Sequence, residues 1–153
     1  MIEAEVSGVA VPRLSRRDAA SFARTCVAII ERLRAAPFRA SELSILFVHD
    51  DEMIRLNRTW RGKKKTTDVL TFEADDSYAP PESADRPLGD IVISVDQARR
   101  QASEQKHSLA TEVRYLILHG IIHAYGYDHE TDQGEMNALE LKVRAKVGLT
   151  NDE

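Results

Sequence analysis

The chain has 153 residues, of which 42% are hydrophobic and 30% charged, with a formal net charge of −4. That length makes a single domain, 1–153, with a core of its own, and the composition is that of a soluble globular protein. No run of eighteen apolar residues occurs, which excludes a membrane span, and the acidic balance excludes nucleic-acid binding by bulk charge, so any such binding must come from a local patch. The start, Met1-Ile2-Glu3-Ala4-Glu5, lacks the basic-then-apolar order of a signal peptide. Cys26 is the only cysteine. No intrachain disulfide can form, and a reducing, cytoplasmic compartment is expected.

In chain order, Ile2 to Val6 alternate weakly as a strand. Ser15, with Asp18 three residues on, has the spacing of a capping box and opens a helix. Phe22, Cys26, Ile29, Ile30 and Leu33 recur at helical spacing and give it a buried face. Pro37 is expected to end it. Leu43 to Val48 is a short apolar run rich in β-formers, read as a buried strand. Asp50 is expected to cap a second helix, with Met53, Asn57 and Trp60 on one side and Gly62 as its stop. Val69 to Phe72 is the next strand. Ala74 to Pro87 has three prolines, four acids and no periodicity, the pattern of a long loop. Leu88 to Ser94 is the clearest strand. Ser94 with Gln97 starts a third helix, and Ser108 caps a fourth with the core stripe Val113, Leu116, Ile117, Ile121 and Ala124. After Gly134 a last helix carries Met136, Leu139, Leu141 and Val143. This order predicts an α+β fold, a small mixed β-sheet packed with helices.

The fourth helix carries the chemistry. Three of the five histidines fall in His119-Gly120-Ile121-Ile122-His123-Ala124-Tyr125-Gly126-Tyr127-Asp128-His129. His119 and His123 lie one helical turn apart on one side and flank the core stripe, so two imidazoles can grip one metal ion. Gly126 suits a left-handed helix end. The chain can then reverse and bring His129 back as a third ligand. Three protein ligands leave a position for water, as in a catalytic rather than a structural zinc site. The spacing H-x-x-x-H-x-x-G-x-x-H is that of the metzincin proteases, so this is a zincin-like metal helix. Those enzymes need Glu after the first His as general base. Here that position is Gly120, and the ligand frame stands without the protease base.

A second cluster precedes the third strand. Arg55, Arg58, Arg61, Lys63, Lys64 and Lys65 fall within eleven residues that hold no acid. They create a local positive field, read either as a solvated helix end or as a phosphate site. Arg61 stands apart because it sits where the helix gives way to the loop. Trp60 reads as core, with a stacking face for a base as the other reading. Asp68 opens the third strand, either bonding backbone in a turn or orienting a ligand histidine. Asp128, beside a ligand, has the same two readings.

These residues resemble a known family. Leu56-Asn57-x-x-Trp60-Arg61, Thr67-Asp68-Val69-Leu70-Thr71-Phe72, Leu88-Gly89-Asp90-Ile91, the histidine motif with Gly120 and its Gly126-Tyr127-Asp128-His129 ending, and Met136-x-x-x-Glu140 resemble the bacterial YbeY family in order and spacing across residues 50 to 145. Ile122 and Ala124 stand where that family usually has leucines, a difference of packing rather than ligation. The resemblance implies a single-strand-specific, metal-dependent endoribonuclease acting in 16S rRNA 3′-end maturation and ribosome quality control. It implies one metal per chain, Zn2+ by default with other divalent transition metals open, held by His119, His123 and His129. It implies Arg61 as the catalytic or RNA-contacting arginine. The implied partners are single-stranded RNA and the small ribosomal subunit or its assembly factors.

The chemistry consistent with these residues is metal-assisted phosphodiester cleavage, with the nucleophile either water or the RNA 2′-hydroxyl and no general base assigned. Two other readings stand beside it: a ribosome-assembly factor whose metal is structural and whose basic patch docks on RNA, and a metal-dependent peptidase, which Gly120 opposes. A small-molecule hydrolase has no positive feature beyond the metal.

Overall fold

The computed structural model describes residues 2–74, 85–128 and 130–149. The elements run β1 Glu3–Gly8, α1 Arg16–Arg32, β2 Glu42–Val48, α2 Asp50–Arg61, β3 Val69–Glu73, β4 Gly89–Ser94, α3 Val95–Gln105, α4 Leu109–Ala124 and α5 Glu135–Val147. The four strands form one sheet in the order β1-β2-β4-β3. β1, β2 and β4 are parallel, and β3 is an antiparallel edge. The expected α+β architecture with a mixed sheet is borne out. Of the expected long loop, residues 75–84 lie outside the described residues, while Arg86 bridges to Ala40.

Both faces of the sheet are covered, which is why β2 and β4 read as near-continuous apolar runs. On one face Ile45, Phe47, Ile91, Ile93 and Val69 join the main core with α1, α4 and α5. On the other, Leu46, Val48, Val92, Leu70 and Phe72 pack under Met53 and Leu56 of α2. Helix α4, which carries His119 and His123, is enclosed by α1, α3, α5, β3 and β4. Its buried set therefore exceeds the expected stripe, adding Leu118, Gly120 and Ile122 among others. Cys26 is fully buried, as its helical spacing implied, and burial pushes its thiol up to about 12.

The serine caps form as expected. The hydroxyls of Ser15, Ser94 and Ser108 accept from the backbone N–H of Asp18, Gln97 and Thr111. Four expectations need correction. α1 ends at Arg32, five residues before Pro37, where Arg34 turns the chain with φ 57°. The cap position of α2 belongs to His49, which makes no side-chain capping bond. Leu141 is 52% exposed, and the buried residue beside it is Glu140. Trp60 is 66% exposed, not core.

Asp50, displaced from the cap, instead joins three elements. Its carboxylate accepts from Ser94 Oγ and Thr66 Oγ1 at 2.8 Å each and from the Arg100 guanidinium at 2.6 Å. Its own N–H donates to Asp96 Oδ2 at 2.8 Å. Burial pushes the Asp50 carboxyl up, but Arg100, Thr66 and Ser94 together outweigh it and hold the carboxyl below its ordinary value. A carboxyl whose pKa is lower folded than unfolded stabilises fully above the unfolded value, and that contribution is lost as pH falls through the folded one. We expect Asp50→Asn to cost roughly 2 kcal/mol near neutral pH by weakening charge-assisted bonds. The gap from wild type should close below the carboxylate range. Thermal melts from pH 3 to 8 would show it, and parallel curves would refute the account.

Candidate metal centre

α4 brings His119 and His123 side by side. Their ring centroids are 5.9 Å apart and the rings are inclined at 71°. Two imidazoles sharing one tetrahedral ion at about 2.0–2.1 Å from each nitrogen place their centroids roughly 5–6 Å apart, so the pair fits such an ion. Both side chains are half-buried while the helix around them is buried, and His119 lines a cleft beside the helix. His129, the third expected ligand, lies outside the described residues. Among the described residues no three His, Cys, Asp or Glu side chains gather as a metal site.

The orientation of His119 is set from α5. Its Nδ1 meets Glu140 Oε1 at 3.1 Å, and Glu140 Oε2 accepts from the Arg144 guanidinium at 2.5 Å. Arg144 in turn lies over the Tyr115 ring, 4.5 Å from its centroid. A carboxylate on one ring nitrogen fixes the tautomer that presents the other to a metal. The Glu140 bond, above all, raises the His119 pKa against the opposing effect of burial. For Glu140 burial pushes upward, but His119 and Arg144 outweigh it and the carboxyl is held below its ordinary value. Glu140 and Arg144 carry site geometry that the reading of the histidine motif alone did not assign. The signal was available: a carboxylate interrupting an apolar helical face and a cation one turn later.

The cleft beside His119 has a volume of about 350 Å³. Asp68, Tyr115, Glu140 and Arg144 line it, as do the half-buried His107 and the buried Glu112, paired at 2.6 Å. Asp68 makes the backbone bond of its turn reading. Its Oδ1 accepts from the Val69 N–H at 2.7 Å, and its charge also helps to raise the pKa of His119. Asp128 takes the turn-bonding role, accepting from the Glu130 N–H at 3.0 Å. Gly126, with φ 106°, reverses the chain after α4, and Tyr127 Oη donates to the Ala35 carbonyl at 2.7 Å. These contacts fasten the segment leading to His129.

Gly120 has a packing role that its sequence position did not reveal. A Cβ built there would lie 2.8 Å from Ile91 Cγ2 and 3.0 Å from Ile91 Cδ1. The glycine lets α4 approach β4, and its side-chain direction points into the sheet. A glutamate base has no room there. We expect Gly120→Ala to be destabilising despite the gain in helix propensity of about 1 kcal/mol, because overpacking typically costs 1–3 kcal/mol. The net loss should be on the order of 1 kcal/mol, or roughly 2–4 °C in Tm for a chain of this size. A melting temperature at or above wild type would refute this packing argument.

Arg61 comes from α2, on the opposite face of the sheet from α4. Its guanidinium donates to the Thr71 carbonyl of the edge strand at 3.2 Å. Arg58, Arg61, Lys63, Lys64 and Lys65 are all exposed. Among the described residues none of them forms an ion pair, whereas Arg55 pairs with Glu52. A larger cavity, about 920 Å³, lies at the far end of the sheet. Glu3, Glu5, Glu42, Glu73 and Asp90 line it against a single Arg24, a field that repels phosphate.

A model of the family described as "Endoribonuclease YbeY" matches residues 11–148. The Endoribonuclease YbeY of Roseiflexus castenholzii is 40% identical over 135 residues, covering 81% of this chain and 85% of that protein. Those of Nautilia profundicola and Koribacter versatilis are each 44% identical, over 108 and 120 residues. The first pairing covers 71% of this chain and 73% of the relative, and the second 78% and 74%. The solution structure of TM1509 from Thermotoga maritima aligns with a TM-score of 0.59 at 21% identity, covering 98% of this chain and 95% of that one. At that identity the likeness is one of fold.

Proposed function

The chain belongs to the Endoribonuclease YbeY family, and from that premise we propose that it is a single-domain, metal-dependent endoribonuclease that cuts single-stranded RNA. Its proposed setting is the cytoplasm, in 16S rRNA 3′-end maturation and ribosome quality control on the small ribosomal subunit. Among the described residues no helix is long and apolar enough to cross a membrane. The observation that carries the reading is the His119–His123 pair, with Glu140 on the Nδ1 of the first ring.

His119, His123 and His129 would hold one divalent ion, with zinc favoured by imidazole donors and other transition metals acceptable to the same set. Such an ion supplies polarisation of a phosphoryl oxygen and acidification of a bound water. The protein's own groups do the rest. Glu140 and Arg144 keep the His119 ring turned, and Asp68 adds negative charge beside it. Arg61 offers a planar fork matched to a phosphate and can stabilise charge as the pentavalent phosphorus forms. Arg58 and Lys63 to Lys65 draw in the RNA backbone through long-range attraction. Gly120 leaves the general base unassigned, and the nucleophile is either water or the RNA 2′-hydroxyl.

The deciding experiment incubates metal-loaded protein with end-labelled single-stranded RNA, with and without chelator, beside the same RNA as a duplex. Internal cleavage of the single strand, lost with chelator and absent on the duplex, is expected. Cleavage of casein with no cleavage of RNA would overturn the reading in favour of a peptidase. A single 2′-deoxy nucleotide at the scissile position then chooses the nucleophile, since normal cutting there eliminates 2′-hydroxyl attack.

A further inference from the structure

Trp60 is the larger of two exposed large apolar side chains among the described residues, the other being Leu141 on α5. It is 66% exposed, and its ring meets Phe72 edge-on, with centroids 6.2 Å apart and planes at 74°. That contact holds the indole in place but leaves most of it in water. A tryptophan left out of the core forgoes the largest apolar burial any side chain offers. It stands among exposed cations with no acid partner in the described residues: Arg58 and Arg61 on its own helix, and Lys63 to Lys65 just beyond. The edge strand β3 connects this patch to the histidine cleft. Asp68, in the cleft, leads into β3, and Phe72, under Trp60, lies four residues on, roughly 13 Å along the strand. Arg61 is bonded to that strand between them, at Thr71.

We propose, resting on the endoribonuclease reading above, that Trp60 is a stacking platform for an unpaired base of single-stranded RNA, a few nucleotides from the bond that is cut. A positively charged track combined with an aromatic face holds single strands without reading their sequence, because every base has a π-face. In a duplex those faces are already covered by neighbouring bases, so the platform itself favours single strands. Phe72 is the brace that keeps the indole upright, and the exposed cations Arg58 and Lys63 to Lys65 attract the phosphates beside the stacked base.

The chain contains one tryptophan, so its intrinsic fluorescence reports on this position alone. The test titrates the full chain with a single-stranded oligoribonucleotide, with the same RNA as a duplex, and with inorganic polyphosphate. Quenching by the single strand, with little or none from polyphosphate or duplex, is expected. By anisotropy of a labelled single strand, Trp60→Ala should bind about 5- to 150-fold more weakly, the range that stacking of one base supplies. Trp60→Phe should retain most of the affinity, and both variants should melt like wild type because the side chain is exposed. If the wild type binds and cuts RNA while its fluorescence is unmoved and Trp60→Ala binds equally well, stacking is wrong and the nuclease reading survives. If the single strand and polyphosphate quench alike, the patch recognises charge only, and the platform is again wrong. If the wild type neither binds nor cuts single-stranded RNA, both readings fall together.

Discussion

His123→Ala is expected to abolish RNA cleavage and to leave a folded protein that no longer retains its metal through desalting. Removing one of the three proposed nitrogen ligands would take away both affinity and the geometry that keeps a position open for reaction. The fold should survive, because His123 is only half-buried and the helix is held by Leu116, Ile117, Ile121 and Ile122. Glu140→Gln is the graded companion. It keeps the shape but weakens the bond to His119 Nδ1, and loss of such a partner typically lowers metal affinity 10- to 100-fold. Metal content by atomic emission, titration against a chromophoric chelator, and cleavage at rising metal concentration separate the cases. Cleavage by Glu140→Gln should return at high metal, while cleavage by His123→Ala should not. Full activity of metal-free His123→Ala would exclude this centre from the reaction.

Arg61→Ala is expected to reduce kcat by a few hundredfold, about 3–4 kcal/mol, with metal content and Tm unchanged. The physical reason is that the planar guanidinium matches two phosphoryl oxygens at once and acts where charge builds up in the transition state. Arg61→Lys should rescue only a small part, since a point charge does not reproduce the fork. The stability forecast follows from exposure: among the described residues the side chain makes one bond, to the Thr71 carbonyl, and fills no space in either core cluster. A change confined to KM would reassign Arg61 to ground-state binding of the RNA backbone. A fall in Tm as large as that of a core substitution would make it a structural residue.

Local rules read from the chain located the elements well. Each serine cap and Gly62 depend on a few neighbouring residues, so sequence spacing suffices to find them. The same holds for the i, i+4 histidines, whose proximity is a property of the helix itself. Where the expectations failed, a distant residue had intervened. Asp50 has a side chain suited to capping, but Ser94, Arg100 and Thr66 claim its oxygens from other elements. Trp60 shares a helix side with Met53 and Asn57, yet the packing under α2 reaches Met53 and Leu56 and leaves the indole outside. Leu141 and Glu140 lie about 100° apart around the helix, so the rotational setting of α5 decides which is buried. The weak apolar phase of that helix left the rotation open.

The sequence by itself determined the residue types on which the proposed chemistry rests: imidazoles at ligand spacing, a basic stretch in an acidic chain, and no glutamate where a protease needs one. Those are facts of residue type and short spacing, and folding does not alter them. Only the tertiary structure decided how the groups are held. Glu140 reaches His119 from 21 positions away, Gly120 is occupied by the approach of Ile91, and β3 joins the face that carries Arg61 to the face that carries the histidines. These arrangements depend on how helices dock on a sheet, a balance of packing over the whole core. No local stretch of the chain encodes that balance.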